Sequence, residues 1–392
     1  MSKPAPSKTN VMFALGLCSA AAWLAAAAYF AMTEGLLDGT GHAMGRDFVN
    51  NWTAARLASE GRIHEVFDPF QFYAAVHAMV DPTLLFHFWP YPPTYLAIVQ
   101  PLGRLPYIPA FIVWSVASLG LLAVAARAVF PARSDVVFLL ASPAVATNLV
   151  LGQNGGLTAA LLLAAVAMID RRPRTAGVLL GLLTFKPQLG LLAPVLVVAE
   201  RRWSILVAAA LTGAAFAGFS AVLFGVEAWR DFATLTVPMQ TTMMQTGKGP
   251  FMLMMVSAFA SGRVLGLDAT WAMALQAPFT LAAGVLAWRA CRGSGPVWAK
   301  VATMMVTTLL ATPQALNYDM IPVAAAALLL AHRAQGWPDR ALCVALWFAP
   351  ILVIALNGMG APITPLILAA AAFRLDREHT ASARLAPAAL AA

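Results

Sequence analysis

The chain is a succession of apolar runs, roughly 12 to 23 residues long, separated by short polar stretches. That pattern leaves few folds open. A soluble domain carries about 25% charged residues, whereas this chain is 60% hydrophobic and only 11% charged over 392 residues. No soluble core hides so much apolar surface, so lipid must be its solvent. Inside lipid the backbone has to satisfy its own hydrogen bonds, which makes the runs helical. Alternating segments of about ten residues, the mark of a membrane β-barrel, are missing.

The predicted runs are 11–32, 91–102, 107–128, 134–151, 156–170, 175–186, 188–199, 203–225, 270–290, 297–312, 318–333, 341–357 and 361–373. Lys3 and Lys8 precede the first. At about 22 residues it is long for a cleaved signal peptide, and it reads as a spanning helix. Basic turns at Arg171-Arg172-Arg174, Arg201-Arg202, Arg289 to Arg292, Arg333 to Arg340 and Arg374 to Arg377 predict the cytoplasmic side. They place both termini inside, which requires an even number of crossings. Short runs such as 91–102 and 175–186 are candidates for half-helices, leaving about twelve crossings. The net charge of +8 is explained by these turns, so nucleic acid is not an expected partner. Cys18, Cys291 and Cys343 are an odd set without a C-x-x-C pair, which supports neither a disulfide framework nor a zinc site.

Two long polar segments interrupt the runs. Residues 33–90 are rich in acids and aromatics and read as a first extracytoplasmic loop with two interfacial amphipathic helices. Asp68-Pro69 is a helix-opening pair, and Phe48, Trp52 and Ala55 share a helical face. Residues 227–266 form a second outer segment, with 251–260 too short to cross and expected in the interface. Its methionines read as packing residues, with a greasy groove as the alternative. Residues 1–380 then form one domain, and 381–392 a flexible tail.

With the basic turns on one side, the remaining polar residues collect on the other. They are Asp47, Tyr91, Gln153, Asn154, Lys186, Gln188, Tyr318 and Asp319, with Arg56 on the first loop. A charge in lipid costs about 2.5–3.5 kcal/mol at a helix centre on insertion scales. Lys186, set among leucines, therefore needs a partner: an anionic phosphate, or more plainly Asp319. Asp47 is a candidate base or a helix cap, and Arg46 beside it would favour its charged form. Gln153 and Asn154 suit a substrate's hydroxyls, or simply a glycine-rich turn. Tyr318 and Asp319 suit substrate, or a helix start. His87 is a lesser site candidate, while His64 and His77 read as surface residues. No set has metal-ligand spacing, so no metal or other cofactor is expected.

The ordered motifs resemble glycosyltransferase family 87. They are Asp47-Phe48, Trp52-Thr53-Ala54-Ala55-Arg56, Tyr91-Pro92-Pro93, Pro101-Leu102-Gly103-Arg104, Gly152-Gln153-Asn154-Gly155, Lys186-Pro187-Gln188 and Tyr318-Asp319. The resemblance extends over roughly residues 45–330. Where related sequences read Thr-Pro-Tyr, this chain has Thr312-Pro313-Gln314. The resemblance implies an all-α polytopic GT-C fold with an extracytoplasmic site in a bacterial inner membrane. It also implies a polyprenyl-phosphate sugar donor, mannose or another hexose, and Asp47 as the catalytic aspartate. The chemistry agrees. A polyprenyl phosphate leaves as a stable anion, so one base for the acceptor hydroxyl suffices, with cations such as Lys186 and Arg56 on the phosphate. The acceptor would be a glycolipid or glycan, with inversion at the anomeric carbon. The alternatives are a transporter or flippase and a non-catalytic scaffold. Transporters place ionisable groups at the midplane and often repeat their halves, and neither feature is evident.

Overall fold

A computed structural model describes residues 9–293 and 295–389. Lys3 and Lys8 lie outside the described residues, as do 390–392. Among the described residues the chain is helical, with only isolated bridges such as Met255 to Leu316. Five helices among the described residues are long and apolar enough to cross a bilayer: Val11–Ala31, Tyr107–Ala126, Trp203–Phe224, Ala269–Arg292 and Gly336–Gly358. At 1.5 Å per residue each spans about 30 Å or more. The protein is a multi-pass membrane protein.

Shorter apolar helices fill the centre. Every residue of Ile321–Ala331 is buried, as are residues 299–311 of Val297–Ala311. Their small side chains allow close approach where no lipid reaches. By contrast Trp203–Phe224 buries only Ile205 and Ser220 and turns the rest outward. The expected figure of about twelve crossings would need these short inner helices to cross as well.

Several predicted spans are broken, each for a local reason. The run 134–151 divides into Arg133–Leu140 and Pro143–Val150. Ser142 accepts from the Val145 amide at 3.4 Å and Pro143 takes the first helical position, so a new helix starts inside an apolar run. The run 91–102 is the seven-residue helix Pro93–Val99 followed by a 3-10 turn, Gln100–Arg104. Runs 175–186 and 188–199 are Pro173–Leu182 and Ala193–Glu200, joined by two 3-10 turns on either side of Lys186. Pro187 lacks an amide hydrogen, and Lys186 is non-helical at φ −132° and ψ 67°. The final run is longer than expected: Thr364–Ala389 extends into the predicted tail.

Pro173–Leu182 is held against Trp203–Phe224 by two glycines one turn apart. A Cβ at Gly177 would lie 2.4 Å from the Ile205 carbonyl oxygen, and one at Gly181 2.5 Å from that of Ala209. Gly181→Leu should therefore separate the two helices and cost at least about 1–3 kcal/mol. Thermal unfolding of the detergent-solubilised protein checks this; an unchanged midpoint would refute it.

The outer segments differ from expectation. The first loop holds three helices, Phe48–Ser59, Ile63–Phe67 and Pro69–Met79. Asp68 caps the third, accepting from the Phe70 and Gln71 amides. Phe48–Ser59 does not lie on the surface, because Val49, Asn51, Thr53 and Ala54 are buried along with Phe48, Trp52 and Ala55. Gly103 explains the tight fit: a Cβ there would fall 2.2 Å from the Ala55 carbonyl oxygen. The stretch 251–260 is likewise internal, with Met252, Met255 and Phe259 packed against Leu316 and Tyr318.

The second outer segment is strapped to the first. Thr236 Oγ1 donates to the Phe67 carbonyl at 2.9 Å, and His64 Nδ1 lies 2.8 Å from Asp231 Oδ2. The hydrogen bond to Asp231 pushes His64 above its ordinary 6.5, with Asp231, Asp68 and Glu65 adding charge attraction against some desolvation. The raised pKa means the contribution is full below pH 6.5 and fades as pH rises through the folded value. The pair is exposed, so it is worth under about 1 kcal/mol. Proteolysis within residues 226–246 should be slower at acid pH than above pH ~8. His64→Ala should remove that difference; persistence of the difference would exclude the pair as its source.

Candidate functional site

The bundle has two polar ends. At one, Lys300 Nζ lies 2.7 Å from Glu200 and 3.6 Å from Asp170, which also holds Arg202 at 2.9 Å. Arg374 pairs with Asp339 at 2.7 Å, Arg289 with Asp376 at 2.9 Å, and His332 with Asp135 at 3.1 Å. Helix Gly155–Met168 runs from Asn154 to this end, and Ile321–Ala331 runs to it from Asp319. The candidate residues therefore sit at the opposite end, about 16–21 Å away along those helices.

Asp47 occupies the N-cap position of Phe48–Ser59 yet makes no side-chain cap bond. Its Oδ2 instead accepts from Gln153 Nε2 at 2.9 Å, and Gln153 Oε1 accepts from the Tyr91 hydroxyl at 3.0 Å. Two glycines make this meeting possible. Gly152 has φ +58°, and a Cβ there would be 2.4 Å from Phe48 Cβ. A Cβ on Gly155 would be 2.0 Å from the Tyr318 carbonyl oxygen. The glycine-rich turn thus packs against the Asp47 segment on one side and the Tyr318 segment on the other. Asn51 Nδ2 donates to the Gly152 carbonyl at 3.3 Å, and Asn148 Oδ1 accepts from the Gly155 amide at 2.8 Å.

Lys186 is paired with Asp319 at 2.6 Å, and both side chains are almost wholly buried. Its ammonium lies 4.9 Å from the Tyr318 ring centre and 6.0 Å from that of Tyr91. Tyr91 joins the two halves. Burial, then Tyr95, Asp319 and Asp47, push its phenol well above the ordinary value, so it stays a proton donor at neutral pH. Asn154 is fully buried beside the Tyr91 and Tyr95 hydroxyls, yet neither of its amide atoms meets hydrogen-bond geometry. His87 also approaches: burial lowers its pKa, with Asp47 opposing and His42 and His77 adding to the depression.

Other expectations are corrected. Arg46 does not attend Asp47; it turns to Asp38 at 3.1 Å, with a backbone φ of +41°. Arg56 is exposed and pairs with Glu60 at 2.8 Å, away from the cluster. Gln188 offers its backbone carbonyl to Thr312 Oγ1 at 2.9 Å. Tyr95, Asn51 and Asn148 were not anticipated. Tyr95 stacks between Trp89 and Phe185, at 5.4 and 5.1 Å. The available signals were an aromatic four residues after Tyr91 and lone asparagines in apolar surroundings. Among the described residues, no three His, Cys, Asp or Glu side chains gather as a metal site would need.

The model of glycosyltransferase family 87 matches residues 89–313, more than half of the chain. This chain belongs to glycosyltransferase family 87. As a family-87 protein it is a membrane glycosyltransferase, with a glycosyl donor and an acceptor as substrates. No curated protein and no solved structure gives a match. The family-87 match includes Tyr91, Gln153, Asn154, Lys186 and Gln188. Asp47, Tyr318 and Asp319 fall outside it, and contacts with residues inside it bring them to the same place.

Proposed function

We propose that this family-87 enzyme transfers a hexose, mannose in the first instance, from a polyprenyl phosphate to an acceptor hydroxyl with inversion. The supporting observation is the contrast between its two carboxylates. Asp319 is neutralised by Lys186, whereas Asp47 neither caps its helix nor pairs with a cation among the described residues and is held only by Gln153. An acceptor oxygen attacks the anomeric carbon as the carbon–phosphate oxygen bond breaks. The bonding pair leaves with the phosphate, and the acceptor proton passes to Asp47. Lys186 stabilises the departing phosphate by exchanging Asp319 for it, assisted by the Tyr91 hydroxyl. Asn154, whose buried amide lies beside the Tyr91 and Tyr95 hydroxyls, offers its remaining hydrogen-bonding capacity to sugar hydroxyls.

The fold is read as GT-C in a bacterial inner membrane. The basic end faces the cytoplasm by the positive-inside rule, which puts Asp47 on the extracytoplasmic side and both termini inside. The acceptor is a glycolipid or glycan, and the chemistry as drawn requires no cofactor. The test is incubation of the purified protein with radiolabelled polyprenyl-phosphate hexoses and membrane lipid extract, followed by product identification. Transfer from the lipid phosphate supports the reading. Transfer from a nucleotide sugar alone, or substrate flux without transfer, refutes it.

A further inference from the structure

Arg56 has no place at Asp47, and it meets Arg104 elsewhere. Arg56 and Arg104 border an open cleft of about 410 Å³ whose other walls are Trp52, Glu60, Met79, Leu105 and Pro106. The meeting is built by the backbone. Gly103 lies so close to Ala55 that no side chain fits, and its carbonyl accepts from Arg56 Nη1 at 3.3 Å. Trp52 Nε1 donates to the Leu105 carbonyl at 3.0 Å, which fixes the indole as a wall. Charge is unbalanced here. Glu60 is shared between Arg56 at 2.8 Å and Arg62 at 3.1 Å, and Glu65 takes Arg62 at 2.7 Å. Among the described residues Arg104 has no acidic partner.

The cleft stands at the edge of the bilayer. Arg104 lies three residues before the spanning helix Tyr107–Ala126. On one face of that helix, at successive turns from its first residues, Ile108, Ile112 and Val116 are 43%, 54% and 65% exposed. A polar socket with an unpaired guanidinium above an apolar strip matches an amphiphile rather than a soluble ion. We propose that this cleft binds the headgroup of an anionic phospholipid, with the phosphate between Arg56 and Arg104 and an acyl chain along Ile108, Ile112 and Val116. The site is separate from the Asp47 cluster. Arg56 lies nine residues from Asp47, on the opposite side of the Phe48–Ser59 helix and about 14 Å along it. The inference does not depend on the donor or the base.

The test uses the full chain in phosphatidylcholine nanodiscs doped with phosphatidylglycerol carrying a diazirine at the top of one acyl chain. After irradiation, labelled peptides are mapped by mass spectrometry. Phosphatidylglycerol should label residues 52–60 and 104–116 more than an equivalent photoactive phosphatidylcholine does. Arg104→Gln, which breaks no pair, should lower that yield about fivefold, and Arg56→Gln with Arg104→Gln further. Arg127→Gln, at the far end of the same helix, should leave it unchanged. Equal labelling by the two lipids, or no change in Arg104→Gln, would overturn the proposal. So would loss of the label to excess soluble glycerol 1-phosphate, which would assign the cleft to a free phosphate ester.

Discussion

Asp47→Asn should slow sugar transfer by about 10²–10⁴-fold while the protein folds, inserts and unfolds as before. The geometry makes this a clean substitution. Asparagine has the same shape, and its remaining oxygen can still accept from Gln153 Nε2, now 2.9 Å from Oδ2. No helix cap is lost, because the Asp47 side chain makes none. No ion pair is lost either, since Arg46 is engaged by Asp38. What disappears is the only feature the amide cannot reproduce, a lone pair basic enough to take the acceptor proton. Asp68 is the matched control on the same loop, because it does cap a helix. Asp68→Ala should cost about 1 kcal/mol of stability with little change in rate. Initial rates of radiolabel transfer and thermal midpoints, measured on both variants, separate the two roles. Transfer at the normal rate by Asp47→Asn would mean that another group accepts the proton.

Much of this cluster is legible in the sequence because of the solvent the chain lives in. In a chain with so few charges, each polar residue inside an apolar run stands out and has to be justified energetically. Lys186 is found that way, whereas Asp47, Tyr91, Gln153, Asn154, Tyr318 and Asp319 stand between apolar runs or at their ends and are found from the ordered motifs; the structure brings them to one end of the bundle. Direction was harder. Arg56 shares a short helix with Asp47, but nine residues turn it to the other side. Arg46 is adjacent to Asp47 in sequence, yet its positive φ aims it at Asp38. Breaks inside apolar runs were also hidden. Ser142-Pro143 starts a new helix where hydropathy alone reads one continuous span. The burial of Phe48–Ser59 depends on Gly103, a residue whose importance lies in what it lacks and therefore leaves no pattern.

Lys186→Met should destabilise the protein by about 3–5 kcal/mol, because it strands the Asp319 carboxylate without its cation. Both side chains are almost fully enclosed, at 2% and 1% exposure, so water cannot compensate. Asp319 would retain only a long 3.4 Å contact from the Leu316 amide. Adding Asp319→Leu removes the stranded charge, and the double variant should recover most of the lost stability, since apolar replacements of buried pairs are often neutral or better. Activity should behave differently. If Lys186 serves only to balance Asp319, transfer should return together with stability. If it also receives the donor phosphate, transfer should stay low in the stable double variant, because the Tyr91 and Tyr318 rings would then surround a methionine where the cation had been. The cycle thus separates architecture from chemistry within one pair. Thermal unfolding reads the first and initial transfer rates read the second. A double variant that is both stable and active would leave the phosphate without its proposed cation.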